Sequence, residues 1–282
     1  MSAGLRVRPG RPDDLEQIRL FTTGTFSWGD YVPDHYLEWL QQPEINVAVV
    51  TDADDRPIAV ARAIMLSPTE LWLASVRVDP AHRRQGVATL LNDHGVEWGR
   101  SQGAAVARLL IEEHNLPAQR QVEGIGYRMT SRWRYGTVEA VNAAEVFDPL
   151  EPAAASEVEA AMSAWSRSEV GRASRGLYPT DGWSWRRLVP ADLAAAASAG
   201  SFWQGPDGWV LAAVDEEELV VLWLATEPDQ ANRLFDSLRG LAGELGSRDV
   251  FIQLPAVSWL EDAAGAAGFE LHPAMVYEKP ID

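Results

Sequence analysis

Apolar residues recur along this chain in two rhythms. Ile45–Val50, Ile58–Leu66, Leu71–Val78 and Ala105–Ile111 are short, nearly continuous apolar runs, the pattern of strands buried on both faces. Between and before them, Leu15, Ile18 and Leu20–Phe21, then Tyr36, Leu37, Trp39 and Leu40, then Leu90, Leu91 and Val96 follow the spacing of amphipathic helices. The punctuation agrees. Arg11-Pro12-Asp13-Asp14 puts a proline and two acids where a helix begins. Asp52–Pro57 is rich in turn formers and predicts a hairpin, and Asp79-Pro80 ends the third long strand. With Leu5–Pro9 as a first strand, Pro117–Gly124 as a short helix and Tyr127–Tyr135 as a last strand, the order is β-α-α-β-β-β-α-β-α-β.

The later half repeats much of this order. Trp183–Leu188 reads as a strand and Pro190–Ala199 as a short helix. Trp209–Val214 and Leu219–Ala225 pair around Asp215–Glu218, which reads as a solvated turn. Gln230–Leu245, Val250–Leu254, Val257–Ala267 and Phe269–Tyr277 then alternate helix and strand. Glu151–Ala164 suits a connection and a helix. The pattern predicts a mixed-sheet α/β protein with an internal duplication: residues 1–145, a connecting helical segment 146–182, and a second domain 183–282.

Composition narrows the classes. A chain of 282 residues, 46% hydrophobic and 23% charged, is expected to form two globular domains. Its net charge of -17 disfavours nucleic acid and anionic membranes and mildly favours a cationic substrate. No cysteine is present, which excludes disulfides and thiolate chemistry. The opening MSAGLRVRPGRPDDLEQ carries no apolar run, and no stretch approaches the ~18 apolar residues of a membrane span. A cytoplasmic protein, monomer or homodimer, follows as the expectation. The five histidines have no metal-ligand spacing, so no metal is expected.

The chemistry concentrates in Val76-Arg77-Val78-Asp79-Pro80-Ala81-His82-Arg83-Arg84-Gln85-Gly86-Val87-Ala88-Thr89. A strand runs into a polar loop, a glycine and an apolar-periodic helix. A helix start leaves about four amide N–H groups without partners and adds partial positive charge. Gly86 and Ala88 leave the backbone approachable there, which suits a pyrophosphate. Arg83 and Arg84 can add charge-assisted bonds.

This stretch resembles the acetyl-CoA signature of the GNAT superfamily of N-acyltransferases, [Q/R]-x-x-G-x-[G/A], with Arg83, Gly86 and Ala88 at its defined positions. Val76-Arg77-Val78 resembles the strand whose backbone meets pantetheine, and Asn115-x-x-Ala118 with Gly126-Tyr127 resembles the family's N-x-x-A…G-F segment. The resemblance covers roughly residues 5–136. It implies acetyl-CoA as cosubstrate, held by Val76, Arg77, Val78, Arg83, Arg84, Gln85, Gly86, Val87, Ala88, Thr89 and Asn115. Tyr31-Val-Pro-x-x-Tyr36-x-x-Trp39-Leu40, Val78-x-Pro80 and Val106-Ala-Arg108-Leu are further similar to histidine N-acetyltransferase-like proteins. That implies a small amine acceptor such as a free amino acid.

Two departures matter. Val122 stands where many members carry a tyrosine acid, and Trp72 and Ala74 stand near the position of their glutamate base. Glu112 and Glu113, at the end of a strand, are then the candidate bases, with His114 and Asp30 as fallbacks. Trp28, Asp30 and Tyr31 are candidates for the acceptor pocket. In the second half, Thr226–Arg233 has no glycine and carries two acids, so a domain without CoA is expected there. The alternatives are a CoA-binding sensor without activity and an interaction scaffold.

Overall fold

The structure, a computed structural model, describes residues 4–26, 29–141 and 149–282. Two compact units form, one from Met1–Leu109, Leu116–Arg128 and Glu278–Asp282, the other from Leu110–Asn115 and Met129–Tyr277. They cut the chain differently from linear boundaries at residues 145 and 183. The final strand of the first half, β6 (Arg128–Glu139), pairs antiparallel with β13 (Asp249–Pro255) in the second unit. Residues 278–282 belong instead to the first unit, where the Ile281 amide donates to the Ala105 carbonyl at 2.9 Å.

In the first unit the strands are β1 (Arg6–Pro9), β2 (Ile45–Thr51), β3 (Pro57–Ser67), β4 (Glu70–Val78) and β5 (Val106–Glu112). They lie in that order, antiparallel except for the parallel β4–β5 pair. Because successive strand residues face opposite sides, β2 feeds two cores. Val47 and Val49 pack with Ile18 of α1 (Leu15–Thr22) and with Val32 and Tyr36 of α2 (Val32–Trp39). Ala48 and Val50 pack with Val87 and Leu91 of α3 (Val87–Ser101). Gly95 and Gly99 let α3 sit directly on β4: a Cβ on Gly95 would lie 2.8 Å from Leu73 Cδ2, and one on Gly99 2.6 Å from Leu71 Cδ2. Buried Arg108 of β5 joins Glu70 at 2.5 Å and Glu278 at 3.2 Å, fixing residue 278 to this unit.

The second unit runs β14 (His272–Pro280), β6, β13, β12 (Glu218–Ala225), β11 (Gly208–Asp215), β10 (Phe202–Gly205) and β7 (Glu151–Pro152). The β12–β13 pair is parallel, as β4–β5 is. Helices α8 (Ala231–Glu244) and α9 (Ser258–Ala266) connect these strands. The sequence pattern did not predict β10: Phe202-Trp-Gln-Gly205 is too short to display a period. The expected strand at 183–188 is the short β9 (Trp185–Arg187), paired with β8 (Leu177–Pro179) in a separate hairpin.

A shared ion pair marks the two beginnings. Arg8 grips Asp14 through both terminal nitrogens at 2.8 and 2.7 Å, and Asp14 accepts the Arg11 amide at 2.7 Å. Arg186 grips Asp192 in the same way at 2.9 and 2.6 Å, and Asp192 accepts the Val189 amide at 2.9 Å. Both sites read Arg-x-x-x-Pro-x-Asp-Leu, ending at Leu15 and at Leu193 of α7 (Pro190–Ala199).

Candidate functional site

The β4–β5 ladder spans only Glu70–Trp72 against Val106–Arg108, although β4 continues to Val78. Opposite β3 the register slips between Val60 and Arg62, so that Val60 faces Arg77 and Arg62 faces Ala74. The extra residue makes a bulge, which re-aims the strand. Ser75 lies in it with φ of 58°, left-handed for a residue with a Cβ, and Val76 is left exposed. Such backbone strain costs ~1–3 kcal/mol and concentrates at functional sites. Buried Ser75 shares a hydrogen bond of 3.2 Å with the Tyr31 hydroxyl.

Beyond Asp79, which accepts the Ala81 amide at 2.9 Å, the loop turns back through Arg84 (φ 62°) and Gly86 (φ 80°) into α3. Gly86 is the residue before the first helical turn, and no side chain caps it. The amides of this helix start therefore point outward without a capping side chain, and a Cβ on Gly86 would meet nothing within 4 Å. Val87 is buried and anchors the turn, while Ala88 and Thr89 are partly exposed. Arg84 and Gln85 are exposed, and Gln85 reaches back to the Ala81 carbonyl at 3.3 Å. Arg83 donates to the Val78 carbonyl at 3.2 Å. An open, positively polarised helix start beside Arg83 and Arg84 has the donors and space that a pyrophosphate needs.

Other candidates are already engaged. Asp30 has a side chain only 2% exposed; it caps Val32 at 3.0 Å and pairs with Arg77 at 2.6 Å. Its carboxylate is thus committed to holding α2 against β4, and the expectation that it grips a substrate ammonium or serves as base loses its ground. Arg77 lies over the Phe26 and Tyr31 rings, 5.1 Å from each centroid, which holds its side chain against the loop before α2. Trp28 lies outside the described residues. Val122 and Trp72 are buried, and neither they nor Ala74 offers an ionisable acid or base.

In the second unit, the end of β5 separates the two glutamates. Glu113 pairs with Arg132 at 2.7 Å. Glu112, 40% exposed, accepts the Tyr135 hydroxyl at 3.0 Å and lies 3.4 Å from His114. Burial, with the Glu112 charge beside it, pushes the Tyr135 phenol up to about 12, so Tyr135 remains a donor at neutral pH. Asn115 is exposed, its amide donating to the Glu112 carbonyl at 3.0 Å. Sequence reasoning missed Ser75 and Tyr135. The only signal for Ser75 was a polar residue inside an apolar run.

Among the described residues, the corresponding helix start of the second half is built differently. Gln230, before α8, has φ of −105°, and Arg233 is tied to buried Asp207 at 2.5 Å. Among the described residues, no group of three or more His, Asp or Glu could hold a metal, and no helix is long and apolar enough to cross a membrane.

A mixed sheet with a bulged β4, short β4–β5 pairing and an uncapped helix start defines an acyl-CoA N-acyltransferase fold. Residues 13–127 match the model of the Acetyltransferase (GNAT) family, so that stretch of the chain is similar to GNAT acetyltransferases. It is 31% identical over 137 residues to a mycothiol acetyltransferase from Segniliparus rotundus, covering 44% of this chain and 52% of the relative. The chain thus spans about half the length of the curated relative it matches. A GCN5-related N-acetyltransferase from Sphaerobacter thermophilus superposes with a TM-score of 0.69 at 16% identity, over 98% of this chain and 96% of its own. A structure from Thermoplasma acidophilum gives 0.64 at 16% identity, over 98% and 99%. These two share the fold with this chain over nearly its whole length.

Proposed function

We propose that the protein transfers the acetyl group of acetyl-CoA to the primary amine of a small molecule, with a free amino acid as the acceptor class. The observation that carries this reading is the uncapped start of α3 behind left-handed Gly86, with open space where the pyrophosphate would lie. Arg84 and the amides of Gly86–Thr89 would hold the phosphates. The β4 edge at Ser75–Val76 would face the pantetheine and offer an amide to the developing oxyanion.

The chemistry is a direct displacement in which orientation supplies much of the rate. The acceptor ammonium gives a proton to Glu112, and its nitrogen attacks the thioester carbonyl carbon. The C–S bond then breaks, the CoA thiolate leaves, and the second proton shed by the nitrogen passes through water to the sulfur. Because a thiol ionises near pKa ~8.5, water suffices as its proton source and no tyrosine acid at position 122 is required. Glu112 is favoured over Glu113, whose carboxylate is held by Arg132.

A sensor that binds CoA without turnover is the second reading, favoured by the absence of an ionisable group at Trp72, Ala74 and Val122. Thiol release from acetyl-CoA, followed across free amino acids, alkylamines and aminosugars, decides between them. The name of the Segniliparus relative adds mycothiol-related amines to that panel. Turnover with one amine supports the enzyme. Tight CoA binding with no turnover across the panel supports the sensor.

A further inference from the structure

Trp183 is a large apolar residue, 46% exposed, at the tip of the hairpin between β8 and β9. An exposed tryptophan on a floppy loop would mean little, but this loop is fixed at several points. Asp181 accepts the Trp183 amide at 2.9 Å and the Ser184 hydroxyl at 3.0 Å, and the Thr180 amide donates to the Ser184 carbonyl at 2.7 Å. Buried Gln253 of β13 donates to the Gly182 carbonyl. Exposed Asp181 and buried Gln253 thus hold the indole on display from two sides of the loop.

What it faces gives the display a purpose. The Trp183 ring meets Tyr135 edge-on at 5.1 Å between centroids, and Phe251 supports it from 5.8 Å. Tyr135 is flanked by His272 at 5.4 Å, and its hydroxyl donates to Glu112. All these residues belong to the second unit. A partly exposed carboxylate beside a partly exposed phenol ring and an exposed indole is the arrangement that attracts an organic cation, through charge and through the negative faces of the rings.

We propose that Trp183, with Tyr135 and Glu112, forms a recognition site for an organic ammonium within the second unit. This rests on Glu112 being the group that receives the amine. It assigns to Trp183 a role in specificity that the transfer reaction does not itself require. Ammonium compounds with a compact apolar body are the class that fits a rigid indole beside a carboxylate.

The test separates recognition from chemistry by using tetramethylammonium, which has no proton to lose and cannot be acetylated. Its binding to the full chain is followed by ligand-observed NMR, with tert-butanol as the neutral isostere. Trp183→Ala and Glu112→Gln should each weaken tetramethylammonium at least about fivefold, the factor equivalent to a ~1 kcal/mol cation–π contact. Trp183→Phe should retain most of it, and tert-butanol should bind less well than the cation. Thermal melting of each variant establishes that it is folded.

Unchanged binding in Trp183→Ala, no measurable binding by the wild type, or equal binding of tert-butanol would each overturn the site. The two proposals fail separately. Cation binding that depends on Trp183 and Glu112, without turnover of any amine, leaves the site and removes the acetyl transfer. Glu112-dependent turnover with an acceptor KM indifferent to Trp183→Ala removes the site and leaves the transfer.

Discussion

The Tyr135 hydroxyl donates to Glu112 Oε1 across 3.0 Å, while the neighbouring Glu113 is held 2.7 Å from Arg132. Glu112 is the last residue of β5 and Glu113 the first of the turn that follows, so one stretch of backbone gives two carboxylates different partners. Glu112→Gln should lower the rate by roughly 10²–10⁴, as loss of a general base does, and Glu113→Gln should be nearly silent. The loss in Glu112→Gln should shrink at higher pH, where more acceptor is already neutral. Steady-state kinetics of both variants checks this; equal losses, or none, would place the base elsewhere.

Gly86 offers a test of the cradle that spares the fold. Its φ of 80° costs a residue with a Cβ about 1–2 kcal/mol, but no atom lies within 4 Å to be displaced. Gly86→Glu should therefore melt only slightly earlier than the wild type and lose CoA binding, because the new carboxylate faces the pyrophosphate. Calorimetry should find one CoA per wild-type chain and none per variant chain. Two sites in the wild type, or unchanged affinity in the variant, contradicts the assignment.

Arg108 is nearly fully buried, with Glu70 and Glu278 as counter-charges. Removing a buried partner leaves an uncompensated charge and costs ~3–5 kcal/mol. Arg108→Ala should show that loss in urea denaturation. Arg108→Met combined with Glu70→Gln should recover part of it, since the orphaned carboxylate is then neutral.

A fragment of residues 1–145 should fail to fold cooperatively. It would lack residues 278–282, including Glu278 beside Arg108, and would leave β6 without β13. Exposed strand edges and apolar surface of that kind promote aggregation. A soluble fragment with a sharp thermal transition would show that the strand exchange is dispensable.

Burial lowers the pKa of His94 on α3, and its Nε2 lies buried with no hydrogen-bond partner among the described residues. The sign follows from linkage. The neutral form is favoured in the folded chain, so its contribution is full above the unfolded value near pH ~6.5 and is lost as pH falls through the lower folded value. Melting temperature should therefore fall on acidification from pH ~8 to ~5. His94→Gln, which cannot protonate, should fall less over the same range. Parallel curves for the two proteins would remove His94 as a contributor.

Much of the first half was legible from its own residues. The strands of a sheet covered on both faces read as apolar runs, helix starts carry prolines and acids, and the proposed cradle is a local backbone feature written within Val76–Ala88. The duplication was legible as an order of elements. Its sharper trace, Arg8 to Asp14 and Arg186 to Asp192, was present in the letters as Arg-x-x-x-Pro-x-Asp-Leu but acquired meaning only once both pairs were seen to close. Tertiary structure alone decided the exchange by which β6 pairs with β13 while residues 278–282 join the first unit. Strands of the same period suit either neighbour, and the choice rests on distant groups such as the Arg108 charge. It also decided Ser75, whose left-handed turn is imposed by a bulge opposite β3, and the difference between Glu112 and Glu113. That difference depends on Tyr135 and Arg132, which lie 23 and 19 positions further along the chain and are brought beside the glutamates only by folding.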